Sequence, residues 1–232
     1  MFDTVCPKPN HPSDETCPSH GFVKAPTKLI AAVSPPIINR LFLAFIPSLS
    51  TIDLISELAV ALRQQYGLKA QPRPSTHFHI TLQWLGDFPE VPDALVSGAT
   101  KACATLARQT APFEIHLDRV LSFRKPSGNH PLVLAGNEEH NPALFQFQKR
   151  LVSELARAVP LPKDSRRKFK PHLTLMYDRQ DVAEAPIAPV RWKADEFRLI
   201  HSEVGATRHH HLASWKLCGS ESPTLHTPDL FG

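Results

Sequence analysis

The sequence has no apolar run able to cross a bilayer: its longest, from Leu41 to Ile46 and from Leu54 to Leu62, fall far short of the roughly 20 residues a spanning helix needs. Its N-terminus, Met-Phe-Asp-Thr-Val-Cys-Pro, also lacks the basic patch and apolar stretch of an export signal. The expectation is a soluble protein that stays in the cytoplasm and has no membrane partner. Cysteine is scarce. Cys6, Cys17, Cys103 and Cys218 are too few and too scattered to staple a fold, so reduced thiols are expected. Neither charge sign dominates: 26 basic against 22 acidic side chains leave a formal +4. That balance favours polyanions mildly and does not by itself assign a nucleic-acid partner. What is present is apolar content of 42% over 232 residues, enough for a sizeable core.

Prolines 7, 9, 12, 18, 26, 35 and 36 interrupt the first 38 residues, and proline neither donates to a ladder nor continues a helix. The expected organisation is a flexible proline-rich extension over 1–38, a folded domain over 39–218 and a C-terminal tail over 219–232. Within the domain, Leu41 to Ile46 reads as a buried strand stopped by Pro47. A helix follows, capped by Ser50 or Thr51, with Leu54, Leu58, Ala61 and Leu62 at helical spacing and Gly67 at its end. Strands are expected near 77–85, 113–123, 131–135, 170–177, 197–204 and 212–217, and helices over 92–108 and 142–158. A strand–helix–strand order occurs before residue 90 and again between about 131 and 177, which predicts two similar halves.

Each half carries the same short pattern, His79-Ile80-Thr81-Leu82 and His172-Leu173-Thr174-Leu175. Composition alone gives roughly 0.08 such matches in a chain of this kind. On a strand, residues two apart share a face, so each histidine projects with its threonine while the aliphatics turn to the core. If the halves meet across a groove, two imidazoles and two hydroxyls enclose a phosphate-sized space. Opening a cyclic phosphodiester needs a base for the attacking water and an acid for the departing ribose oxygen. Imidazole, with an unperturbed pKa of about 6.5, supplies either form near neutrality. Threonine hydroxyls can donate to the non-bridging oxygens as charge develops. This scheme calls for no metal and no cofactor.

These residues resemble the 2H phosphoesterase superfamily, and within it the bacterial 2′-5′ RNA ligase or RNA 2′,3′-cyclic phosphodiesterase family. The likeness covers about residues 40 to 217. It rests on Arg40-Leu41-Phe42-Leu43-Ala44-Phe45, on His79 through Asp87, and on Phe169-Lys170-Pro171-His172-Leu173-Thr174-Leu175. It implies an α+β, bilobal fold of pseudo-two-fold symmetry, with two antiparallel sheets flanking a central cleft and helices outside. It also implies hydrolysis of 2′,3′-cyclic phosphate ends to 2′-phosphates, with reversal to 2′–5′ ligation. His79 would be the proton donor and His172 the acceptor, with Thr81 and Thr174 holding the phosphate. Family members often carry an arginine where this chain has Tyr177. Arg179 or Lys170 would then substitute electrostatically, or Tyr177 would donate its hydroxyl or stack on a base.

Lys163, Arg166, Arg167, Lys168 and Lys170 precede the second motif and are candidates to draw in an RNA backbone, with Arg124 and Lys125 as similar candidates. RNA ends or small cyclic nucleotides are the expected partners of a monomer. Alternatives are a relative acting on ADP-ribose cyclic phosphate or a 2′–5′ oligonucleotide, and a non-catalytic phosphate-binding module. The series Cys6, His11, Cys17 and His20 matches no common zinc-finger spacing. The run His209, His210, His211 alternates faces on a strand, so it reads as surface or cleft rim rather than a ligand set.

Overall fold

β1 (Ile38–Phe45) turns Leu41, Leu43 and Phe45 to one face and Phe42 and Ala44 to the other, and all five are buried. A strand covered on both faces belongs at the centre of a sheet. The computed structural model describes residues 38–163, 168–206 and 208–220. Of the extension expected over 1–38, Ile38 instead opens β1; residues 1–37 with their Cys/His series, Arg166, Arg167 and residues 221–232 of the expected tail lie outside the described residues.

α1 (Leu49–Gln65) is capped by Ser48, ahead of the expected Ser50 or Thr51; the Ser48 hydroxyl accepts from the Thr51 backbone N–H at 3.3 Å. Its buried stripe is Thr51, Ile55, Ala59 and Leu62, while Leu54 is exposed. Of the expected stripe, Leu62 is buried and Leu58 packs against the core, whereas Leu54 and Ala61 are exposed; Thr51 sinks its hydroxyl onto Ser48 Oγ at 2.7 Å. Gly67, at φ +63°, ends the helix in a conformation that suits glycine. A single 3-10 turn, Ser75–His77, leads to β2 (Ile80–Phe88). Then come α2 (Asp93–Arg108), β3 (Phe113–Ser122), β4 (His130–Ala135), α3 (Pro142–Ala158) and β5 (His172–Asp178). β6 (Ala185–Ala194), β7 (Glu196–Val204) and β8 (Arg208–Lys216) complete the described chain.

The strands form an antiparallel sheet of order β6-β3-β4-β5-β2-β1-β7-β8. The α+β antiparallel architecture is as expected. Instead of two separate sheets there is one continuous sheet, whose four-stranded halves meet through a single backbone pair, Ile80↔Leu173. The ladder stops there because the loop before β2 takes over the edge of β5: the Arg73 N–H donates to the Leu175 carbonyl at 2.7 Å. The inner strands of the halves come from β1-α1-β2 and β4-α3-β5, the repeated unit read in the sequence. Ile80, Leu82, Leu173, Leu175, Leu41 and Leu43 share one core with the buried stripes of all three helices. The opposite face of the central strands is left for the site. Among the described residues no helix is long and apolar enough to cross a membrane.

Candidate active site

The seam between the halves brings the two motifs together. With Ile80 opposite Leu173 in antiparallel register, one step either way sets His79 against Thr174 and Thr81 against His172. Ile80 and Leu173 are fully buried in the core, so the pleat turns all four polar side chains to the other face. There they line a cavity of about 620 Å³. His79 lies one residue before β2 and not within it, following the 3-10 turn.

Both histidines are held in the same way. His79 Nδ1–H donates to the His77 carbonyl at 2.8 Å, and His172 Nδ1–H donates to the Lys170 carbonyl at 2.7 Å. In each case the acceptor is two residues upstream. The bond fixes the tautomer and leaves Nε2 as the nitrogen offered to the cavity. Each ring also rests on a phenylalanine at a centroid distance of 4.9 Å, Phe42 for His79 and Phe123 for His172.

Their electrostatics differ. Burial pushes His79 down to about 4, with Arg73, His172 and His77 adding to the shift and the His77 carbonyl opposing it. Burial also lowers His172, opposed by the Lys170 carbonyl.

Tyr177 lines the same cavity. It is 37% exposed, and Arg73 and Lys125 each place their cationic group 5.5 Å from its ring centroid. A cation over a tyrosine face is attracted by the ring quadrupole. Lys170 lines a second cavity of about 270 Å³ with Lys168 and Phe123, and this cavity shares Thr81, Trp84 and His172 with the first. Arg124 is not brought to either cavity; its guanidinium, 84% exposed, is bonded to Asp181 at 2.6 Å. Lys163 lies beside α3, away from the cleft. His209 does reach the cleft rim, whereas His210 bonds Glu203 and His211 accepts from Arg198.

Several cleft residues were not singled out from the sequence. Arg73 lines the cavity and donates to His77 Nδ1 at 3.0 Å. His77 stacks on His209 at 4.3 Å, and His209 meets the edge of His79 at 5.6 Å. Burial, with His77, His79 and Arg73, pushes His209 down to about 3. Arg40 forms a two-pronged pair with Asp87 at 2.8 and 2.7 Å, and Trp84 Nε1–H also donates to that carboxylate. The Arg40 guanidinium holds Asp87 below the usual carboxylate range, against burial.

The sequence profile of the 2′-5′ RNA ligase superfamily matches residues 49–206. No curated protein matches the chain. Among solved structures, TT0787 of Thermus thermophilus aligns with a TM-score of 0.61 and 23% identity, covering 78% of this chain and 99% of its own. LigT of E. coli complexed with 3′-AMP aligns at 0.57 and 25% identity, covering 78% and 98%. LigT complexed with NADP+ aligns at 0.54 and 24%, covering 78% and 99%.

Proposed function

Since the chain belongs to the 2′-5′ RNA ligase superfamily, whose reaction class is phosphodiester hydrolysis or ligation, we propose that it opens RNA 2′,3′-cyclic phosphate ends to 2′-phosphates without a metal in the reaction. The observation that carries this reading is the matched pair of imidazoles, each with Nδ1 tied to a backbone carbonyl and both lining one cavity. His172 Nε2 takes a proton from water as its oxygen attacks phosphorus. The P–O3′ bond breaks, and His79 Nε2–H gives its proton to O3′. Water thus supplies the new P–O bond and the net proton, and the two rings exchange protonation states. Thr81 and Thr174 donate to the non-bridging oxygens. Arg73 adds positive charge at the cavity wall, the electrostatic role the sequence reading gave to Arg179 or Lys170, whereas the Arg40 charge is paired with Asp87. The structure of LigT with 3′-AMP, a nucleotide, supports a nucleotide end as substrate.

The adjoining cavity on the His172 side, with its two lysines and the rings of Trp84, Phe123 and Phe169, has the chemistry to seat a second nucleotide. An incoming 5′-hydroxyl there would replace water, giving 2′–5′ ligation by the same proton transfers.

The test is a short RNA ending in a 2′,3′-cyclic phosphate, incubated in EDTA with wild type, His79→Ala and His172→Ala. Wild type should accumulate the 2′-phosphate, and each variant should lose about 10²–10⁴-fold in kcat/KM. Turnover of an aryl phosphodiester, whose leaving group needs no proton, should recover in His79→Ala and not in His172→Ala; the reverse pattern exchanges the two roles. Binding of the RNA without turnover would make the chain a phosphate-binding module.

A further inference from the structure

β3 and the loop entering α3 carry a second cluster of ligating side chains, and none of its members lines either cleft cavity. His116 and Asp118 lie two residues apart on β3, and His140 comes from the loop between β4 and α3. The His140 ring stacks on His116 at a centroid distance of 5.0 Å, and His140 Nδ1 lies 2.6 Å from Asp118 Oδ2. One donor atom from each of the three residues falls within 4.8 Å of the others.

Two features distinguish this cluster from an ordinary histidine–aspartate contact. First, His116 Nε2 is shut off from solvent with no hydrogen-bond partner among the described residues. A buried ring nitrogen left unsatisfied is costly, and a bound ion would satisfy it. Second, the loop is already fastened to β3 at this point. Asn141 is buried; its Oδ1 accepts from the His116 N–H at 2.8 Å, and its Nδ2 donates to the His116 carbonyl at 2.9 Å. Gly136, at the other end of the loop, lies so close that a Cβ there would stand 2.5 Å from the His116 carbonyl. Asn141 and Gly136 thus hold the loop that carries His140 against the strand that carries His116 and Asp118. Asp118 keeps Oδ1 on Arg119 Nε at 3.0 Å, leaving Oδ2 for another partner. Asp118 also lines a surface groove with Arg119 and Glu184.

We propose that His116, Asp118 and His140 form a binding site for a divalent transition-metal ion of the zinc class. Two imidazoles and one carboxylate are a donor set suited to Zn²⁺ or Co²⁺, with water completing the coordination. The ion would replace the His140–Asp118 hydrogen bond and tie the loop to β3. Its role is structural and independent of the proposed reaction: Gly136 N–H in that loop donates to the Pro171 carbonyl, next to His172, so the tie would steady the base of β5.

The experiment uses the full-length protein, stripped with chelator and titrated with Co²⁺ alone, reading visible d–d absorption and Tm. Wild type should gain absorption and rise by about 5 °C at saturation. His140→Ala, which removes a ring 45% exposed and so leaves folding intact, should lose one equivalent of Co²⁺ and the Tm rise, and His116→Ala should do the same. Co²⁺ held by other histidines persists in the variants and is subtracted. Equal stoichiometry and equal Tm response in wild type and His140→Ala would falsify the site, as would an absence of uptake by wild type.

Discussion

Although His79 and His172 are held by equivalent backbone bonds, their charges are set differently, and this governs how rate depends on pH. Burial takes His79 to about 4 and lowers His172 as well. The reacting pair must hold one proton, so in the free protein activity is confined between the two values. We expect the alkaline limb of kcat/KM to lie below about 6.5, the ordinary imidazole value. A bound phosphodiester anion stabilises imidazolium and moves both rings upward, so the alkaline limb of kcat should lie at higher pH. Profiles of kcat/KM and kcat on one cyclic phosphate substrate check this, because the first reports the free protein and the second the complex; the limbs belong to the pair rather than to either ring. Coincident limbs would mean that the anion does not sit between the rings. His79, Thr81, His172 and Thr174 were legible in the sequence because a repeated period-2 pattern fixes which face they share. Arg73 and His77 were not. They reach the cleft from a loop and a 3-10 turn, whose placement depends on bonds distant in sequence.

At the level of elements, the loop between α1 and β2 is held by one carboxylate at the end of β5. Asp178, 6% exposed, accepts from the backbone N–H of Lys69 and Ala70 at 2.8 and 2.7 Å and of Gln180 at 2.9 Å. Burial alone would raise this carboxyl, but those backbone donors hold it below its usual range. Replacing it by alanine leaves buried donors unmatched and releases the segment that carries Arg73. Asp178→Ala should cost about 2–4 kcal/mol by urea denaturation, and should raise KM for the cyclic phosphate more than it lowers kcat. An unchanged KM would place Arg73 outside substrate binding. Helices and most strands were legible from apolar periodicity, α3 to the residue. β6 was not among the expected strands, and it contains Pro186 and Pro189, which cannot donate to a ladder. It survives because it is an edge strand, where a missing N–H on the open side costs nothing. The joining of two half-sheets was also beyond the sequence, since it depends on one backbone pair, Ile80↔Leu173.

Across the whole molecule, His79, His116, His172, His201, His209 and His211 all bind protons less readily than a free imidazole, each chiefly through burial. The sign of the linkage follows from that direction. A group whose folded pKa lies below its unfolded value contributes stability above the unfolded pKa, and that stability is lost as pH falls through the folded one. Unfolded imidazoles titrate near 6.5, whereas the folded His79 and His209 titrate at about 4 and about 3. Stability should therefore decline steadily from pH 6.5 toward 4. Over that fall His79 alone is worth on the order of 3 kcal/mol. Asp87, Asp118 and Asp178 are also depressed, but the same rule confines the loss of their contribution to pH below about 3.9, the unfolded carboxylate value. Urea midpoints at pH 7.5, 6 and 4.5 separate the two classes, and His209→Gln should flatten the slope in the imidazole window; a midpoint constant from 7.5 to 4.5 would contradict the assignment. The clustering of neutral rings has a functional logic. A cleft that keeps His79, His172 and His209 uncharged when empty avoids repulsion among them and with Arg73, and under the proposed function would reserve protonation for the moment an anion enters. Under the proposed function, the burial that should make the protein acid-sensitive would also couple proton uptake to phosphate binding.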